Sequence, residues 1–137
     1  MAAELFVDTS AWFPLADPKD RSHAIMASAL RSAVQRKRRI VTTNLVVAET
    51  HALIMRRFGP AAALGFLKEV VRAPLVVVTS TQEYEEAAQR DWLERYHDQD
   101  FSFTDAVSFS VMADRGIREA LALDTHFVVA GFTIVPD

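Results

Sequence analysis

Short unbroken apolar runs alternate with longer stretches of helical periodicity along the whole chain. Leu5-Phe6-Val7, Ile40-Val41-Thr42 and Leu75-Val76-Val77-Val78 carry no polar alternation. Such runs predict strands covered on both faces, as in a parallel sheet. Glu119 to Leu123 and Phe132 to Val135 are read as two further strands. Between them lie the predicted helices. A short one, Ala11 to Leu15, stops at Asp17-Pro18. A second, capped by Asp20 or Ser22, runs to about Arg38 with Met26, Leu30, Ala33 and Val34 on one stripe. A third, capped by Thr43 or Asn44, runs from Leu45 to about Arg57 and is apolar nearly all round, which predicts burial. Gly59-Pro60 separates it from a fourth, Ala61 to Val71. Gln82 to Tyr96, Phe103 to Ala113 and a turn at Phe127 to Ala130 complete the set. This alternation predicts an α/β fold, with a mostly parallel sheet and right-handed crossovers covering both its faces.

Composition narrows the class. The chain has 137 residues, 50% of them hydrophobic and 24% charged, which suits one globular domain, residues 1–137, with one core. It has no cysteine, so disulfides, thiolate metal sites and a cysteine nucleophile are excluded. No basic-then-apolar leader is read and no apolar run is long enough to span a bilayer, so cytoplasmic residence without a membrane is expected. The net charge is -3, so attraction to nucleic acid would have to come from local patches, bound cations or a partner chain. One basic run exists: Arg36, Lys37, Arg38 and Arg39. Cations at a helix C-terminus complement its dipole. Four in succession exceed that need, which makes them candidate phosphate contacts, with Arg56 and Arg57 beside them.

The chemistry gathers in four carboxylates. Asp8 closes the first strand and Asp124 the fourth, and the carboxyl edge of an open α/β sheet is where ligands bind. Asp8 could equally cap the helix after it. Asp105 has capping-box spacing from Ser102. Glu49 lies mid-helix on the face of Leu45 and Leu53, where a buried carboxylate without a partner is costly. An internal salt bridge would satisfy it, and so would a cation. Four converging carboxylates repel unless protonated or neutralised. Oxygen-only ligation favours Mg²⁺ or Mn²⁺ over zinc. Such a centre suits phosphodiester hydrolysis, with a carboxylate accepting the proton of the attacking water. His23, His51, His97 and His126 have no zinc-like spacing. No Gly-rich phosphate loop is present, and Ser10 and Ser102 lack a G-x-S-x-G elbow.

Val7-Asp8-Thr9-Ser10-Ala11, Asn44-Leu45-Val46-Val47-Ala48-Glu49-Thr50, Phe103-Thr104-Asp105-Ala106 and Ala122-Leu123-Asp124-Thr125-His126-Phe127 together resemble a PIN domain, and within it the VapC toxins of bacterial toxin–antitoxin pairs. The resemblance covers the whole chain in order. It implies a three-layer α/β/α sandwich, a homodimer, and an endoribonuclease dependent on Mg²⁺ or Mn²⁺. It maps catalytic and metal-ligating roles onto Asp8, Glu49, Asp105 and Asp124, with the Thr9 and Thr104 hydroxyls as helpers. It also implies a VapB-like antitoxin that blocks the acidic site. The basic run Arg36 to Arg39 is then the expected RNA contact. Two other families are disfavoured. A haloacid-dehalogenase-type phosphatase needs a second aspartate where Ser10 stands, and a receiver domain needs a late lysine that Phe132 to Asp137 lacks. A PIN-like module that binds RNA or a partner without cutting stays open.

Overall fold

The computed structural model describes residues 2–72 and 74–136. At its centre is a sheet of five strands: β1 (Leu5–Val7), β2 (Ile40–Thr43), β3 (Leu75–Val78), β4 (Glu119–Leu121) and β5 (Thr133–Val135). Their order is β3-β2-β1-β4-β5, and every neighbouring pair is parallel. The helices are α1 (Thr9–Ala16), α2 (His23–Gln35), α3 (Asn44–Phe58), α4 (Pro60–Val70), α5 (Gln82–Ala87), α6 (Phe103–Arg115) and α7 (His126–Val129). The chain leaves α5 directly into a π-helical segment, Ala88–Glu94. Among the described residues, no helix is long and apolar enough to cross a membrane.

Burial follows strand position. Leu5, Phe6 and Val7 of the central β1 are buried, as are all four residues of β2. β3 differs from expectation. Leu75 to Val78 read as a fully covered strand, yet all four are half-exposed, because β3 is an edge strand with a neighbour on one side only. β4 ends at Leu121, two residues before the predicted end, so Asp124 stands on the turn after the strand.

The helices on the sheet's faces start and stop for local reasons. Thr43, Thr81 and Ser102 accept hydrogen bonds from first-turn amides of α3, α5 and α6. Gly116 closes α6 at φ 69°, a left-handed conformation in which a side chain is strained. α2 ends at Gln35, short of the basic run, and Lys37 takes the left-handed conformation at φ 60°.

The most deeply covered helix is α6, where every residue from Ala106 to Met112 is buried. Phe109 is its keystone. Its ring lies 5.3 Å from Trp92, 5.0 Å from Phe101 and 5.0 Å from Phe127, each edge-on, and 5.7 Å from Phe132. Edge-to-face contacts at this spacing add to simple area burial. Trp12 is also buried, with its ring edge-on to Phe66 and its indole N–H reaching the Thr42 hydroxyl at 3.4 Å. The Thr42 hydroxyl donates in turn to the Val7 carbonyl across β1 and β2. Both tryptophans are therefore packing residues.

Phe109→Ala is expected to cost about 3–5 kcal/mol of stability, and Phe109→Leu distinctly less. Urea unfolding of the two variants beside the parent protein measures this. Equal, small losses would show that the aromatic cluster is not the core's centre.

Candidate metal centre at the carboxyl edge of the sheet

In a parallel sheet all strands finish at one edge, and here that edge carries the acids. Val7 pairs with Leu121, and the Asp8 amide donates to the Leu121 carbonyl at 3.1 Å. The Asp8 carboxylate is 3% exposed and caps α1, accepting from the Ser10 amide at 3.1 Å and the Ser10 hydroxyl at 2.8 Å. The Ser10 oxygen also accepts from the amides of Leu123 and Asp124, at 2.9 and 3.3 Å. Ser10 thus ties the end of β1 to the turn after β4. Sequence reasoning passed over it. The available signal was a small hydroxyl two residues beyond a strand-closing aspartate, a common local turn pattern.

Asp105 does two jobs. Its Oδ2 accepts from the Ser102 amide while its own amide donates to the Ser102 hydroxyl, both at 3.0 Å, which completes the capping box. The same side chain is only 13% exposed and faces the cluster. Asp124 Oδ1 accepts from the His126 amide at 2.9 Å.

Glu49 corrects the sequence. It is exposed, because the covered stripe of α3 is Val46, Thr50 and Ile54, while Ala48, Ala52 and Met55 face out. The helix has more apolar residues than its covered face has places. Glu49 does share a face with Leu53, and both line the acidic cavity. Its candidacy now rests on that position and no longer on burial. The cavity, of about 400 Å³, is lined by Asp8, Asp105 and Asp124 as well, and by Asp20, which was expected only as a helix cap. Its remaining wall is Thr9, Ser10, Phe13, Pro14 and Leu123. Among the described residues no lysine or arginine lines it.

His126 belongs to this cluster, although no spacing rule marked it. Its Nδ1 lies 3.2 Å from Asp124 and 3.5 Å from Asp105, and its Nε2 lies 2.7 Å from Asp100. Burial alone would lower its pKa, but the hydrogen bond to Asp100 and the charges of Asp124, Asp100 and Asp105 raise it overall. Burial pushes Asp8 up to about 6; the hydrogen bonds from Ser10 pull against this, and the nearby Asp105 charge adds to it. Asp105 is raised too, first by burial and then by Asp124, against the hydrogen bonds from Ser102.

The basic run lies elsewhere. Arg36 to Arg39 precede β2, at the amino edge of the sheet, across its length from the acids. Arg38 is 14% exposed. It donates to the carbonyls of Ala3 and Glu4 and pairs with Glu119 at 2.8 Å. Glu4 also takes a two-pronged pair from Arg115 and a looser one from Arg39 at 3.7 Å. These ion pairs fasten the starts of β1 and β4, which removes Arg38 from the expected phosphate grip. Arg36, Lys37 and Arg39 remain exposed.

A family model for the PIN domain matches residues 5–132. The chain belongs to the PIN domain family. Among its PIN relatives is the 23S rRNA-specific endonuclease VapC20 of Mycobacterium tuberculosis, 38% identical over 135 residues that cover 96% of this chain and 97% of the relative. The crystal structure of that protein, described as a sarcin–ricin loop cleaving toxin, superposes with a TM-score of 0.83 at 35% identity over 95% of this chain and 97% of the other. FitAcB from Neisseria gonorrhoeae shares the fold at 11% identity, with a TM-score of 0.70 over 95% of each chain.

The PIN fold implies a divalent cation, and the residues here fit one. Several carboxylates share a cavity that no described lysine or arginine lines. Asp105, Asp124 and His126 each offer an atom within 4.8 Å of the others. Two buried polar atoms beside them, His126 Nδ1 and Thr9 Oγ1, have no hydrogen-bond partner.

Two outcomes test this geometry. Because Asp8 titrates at about 6 when folded and 3.8 otherwise, its protonated form stabilises the fold. That contribution is complete below about pH 4 and is lost as pH rises through 6, on the order of 2–3 kcal/mol. In EDTA at pH 7, Asp8→Asn is therefore expected to melt several degrees above the parent protein and to gain nothing from Mg²⁺ or Mn²⁺. A variant that melts lower and still gains from the cation contradicts a convergent site. Ser10→Ala is expected to cost about 1–2 kcal/mol and to speed hydrogen exchange at the amides of Leu123 and Asp124. Unchanged exchange there rules out the bridging role.

Proposed function

We propose that this protein is an endoribonuclease that hydrolyses RNA phosphodiester bonds at a Mg²⁺- or Mn²⁺-dependent centre, and that it is the toxin of a type II toxin–antitoxin pair. The observation that carries this is the convergence of Asp8, Glu49, Asp105 and Asp124 on one cavity that no described lysine or arginine lines. Near-full-length identity of 38% to a 23S rRNA-specific endonuclease supports RNA as the substrate and makes ribosomal RNA the first candidate. Cytoplasmic residence, where ribosomes are found, is part of the same proposal.

In this reading Asp8, Asp105 and Asp124 hold the cation, with Glu49 reaching in from the cavity's open side. When bound, a cation supplies a water of lowered pKa and neutralises charge on the phosphate oxygens. The chain's own residues do the rest. Ser10 keeps the two strand ends at a fixed separation, and the capping box holds the Asp105 carboxylate in one orientation. In the same reading Glu49, the exposed acid on the cavity wall, accepts a proton from the attacking water. Phe13, Pro14, Leu53 and Leu123 give the cavity an apolar flank beside the acids.

The exposed cations Arg36, Lys37 and Arg39 are proposed to contact RNA backbone remote from the cut, a role open to a substrate long enough to wrap the sheet's edge. A VapB-like antitoxin and a homodimeric state complete the proposal. The VapBC complex from Salmonella typhimurium bound to DNA, which shares this fold at 13% identity and a TM-score of 0.69 over 97% of each chain, supports the antitoxin partner.

The decisive experiment incubates ribosomes and total RNA with purified protein in Mg²⁺, Mn²⁺ or EDTA, beside Asp8→Asn. Discrete cuts that need the cation and fall about a hundredfold or more in the variant are expected. Identical RNA profiles for the two proteins would favour a module that binds RNA or a partner without cutting.

A further inference from the structure

We propose that His126 is a nitrogen ligand of the cation centre and that it shifts the centre's preference from Mg²⁺ toward Mn²⁺. This rests on the metal-dependent reading above and adds a ligand that the four-carboxylate set does not contain.

The geometry is that of a ligand in waiting. The ring's Nε2 is 2.7 Å from Asp100 Oδ1. A carboxylate accepts there, so Nε2 carries the proton and, in the neutral ring, Nδ1 presents its lone pair. That lone pair lies 3.2 Å from Asp124 Oδ1 and 3.5 Å from Asp105 Oδ2, buried and without a hydrogen-bond partner. Two carboxylate oxygens and a nitrogen lone pair face one another with nothing of opposite charge between them. Neighbouring ligands on a small octahedral cation, with bonds of about 2.1 Å, are spaced about 3 Å apart. The observed separations are close to that. An imidazole that ligates through one nitrogen while its other N–H binds a carboxylate is a recurrent arrangement, in which the outer carboxylate sets the ring's orientation and raises its basicity. Asp100, 91% exposed and on the loop before α6, has that outer position. The ring plane is held from the side by Phe101, edge-on at 5.4 Å.

The consequence is selectivity. Mg²⁺ takes oxygen ligands, whereas an imidazole nitrogen suits first-row transition metals. Replacing one oxygen by Nδ1 weakens the centre for Mg²⁺ relative to Mn²⁺. The rival account of the same distances is a protonated ring that bridges Asp100, Asp124 and Asp105 as a salt bridge and never meets the cation.

Electron spin-echo spectroscopy of the full chain with substoichiometric Mn²⁺ separates the two. A nitrogen ligand predicts ¹⁴N modulation in the wild type, replaced by the ¹⁵N pattern when the histidines are ¹⁵N-labelled and absent in His126→Gln. Calorimetric titration should show Mn²⁺ affinity falling about tenfold or more in His126→Gln and in Asp100→Ala. Mg²⁺ affinity should change by less than about threefold. Bound Mn²⁺ without ¹⁴N modulation overturns the ligand role while leaving the carboxylate centre intact. No Mn²⁺ binding by the wild type overturns the centre itself, and His126's role with it. The labelling experiment needs no substitution, so it decides even where a variant does not fold.

Discussion

The parallel pairing of β1 with β4 is the contact from which the acidic centre follows. These two strands are distant in the chain, yet Leu5, Phe6 and Val7 match Glu119, Ala120 and Leu121 residue for residue. The register puts Asp8 level with the turn that carries Asp124. A one-residue slip would turn every side chain of the slipped strand to the opposite face. Two devices hold the pairing at its ends. At the amino edge, Glu4, Glu119, Arg38 and Arg115 join in ion pairs. At the carboxyl edge, the Ser10 oxygen links Asp8 to the amides of Leu123 and Asp124. One end is locked by opposite charges; at the other, like charges are brought together and a hydroxyl network sets their spacing.

That contrast is what makes the carboxyl edge fit a cation. Burial and mutual repulsion push the Asp8 and Asp105 carboxyls toward their protonated forms. A divalent ion reverses that by favouring the charged forms. The aromatic core beneath, centred on Phe109, gives the edge a rigid base, because α6 carries both Phe109 and Asp105 and α7 carries both Phe127 and His126. Each helix anchors one residue of the cluster by burying an aromatic from the same segment. Local stiffness of this kind keeps a preorganised charge cluster from relaxing apart.

The two charged regions of the sheet are separated by its length, and they differ in kind. The acids at the carboxyl edge share a cavity that no described lysine or arginine lines, which makes it a candidate ligand site. At the amino edge Arg38 and Arg115 are paired with Glu119 and Glu4, which marks a structural lock, while Arg36, Lys37 and Arg39 stay exposed. Sequence order hides this distinction, because Arg38 and Arg39 adjoin each other while one is buried against Glu119 and the other is mostly exposed.

Much was legible from the chain alone. The apolar runs around Phe6, Val41 and Leu121 can be satisfied only by burial on both faces, so a parallel sheet with covering helices followed from hydrophobicity. The strand-closing Asp8 and the helix-opening Asp105 were visible because capping and site chemistry both need a carboxylate where an element begins or ends. Tertiary structure decided the rest. Strand order made β3 an edge and so left Leu75 to Val78 half-exposed. The covered stripe of α3, chosen by what packs on it, turned Glu49 outward to the cavity wall. The bonds of Ser10 and the ring of His126 depend on partners more than a hundred and more than twenty residues away, respectively. Periodicity reports which face of an element is apolar. It cannot report which polar group from a distant segment will meet that element's end.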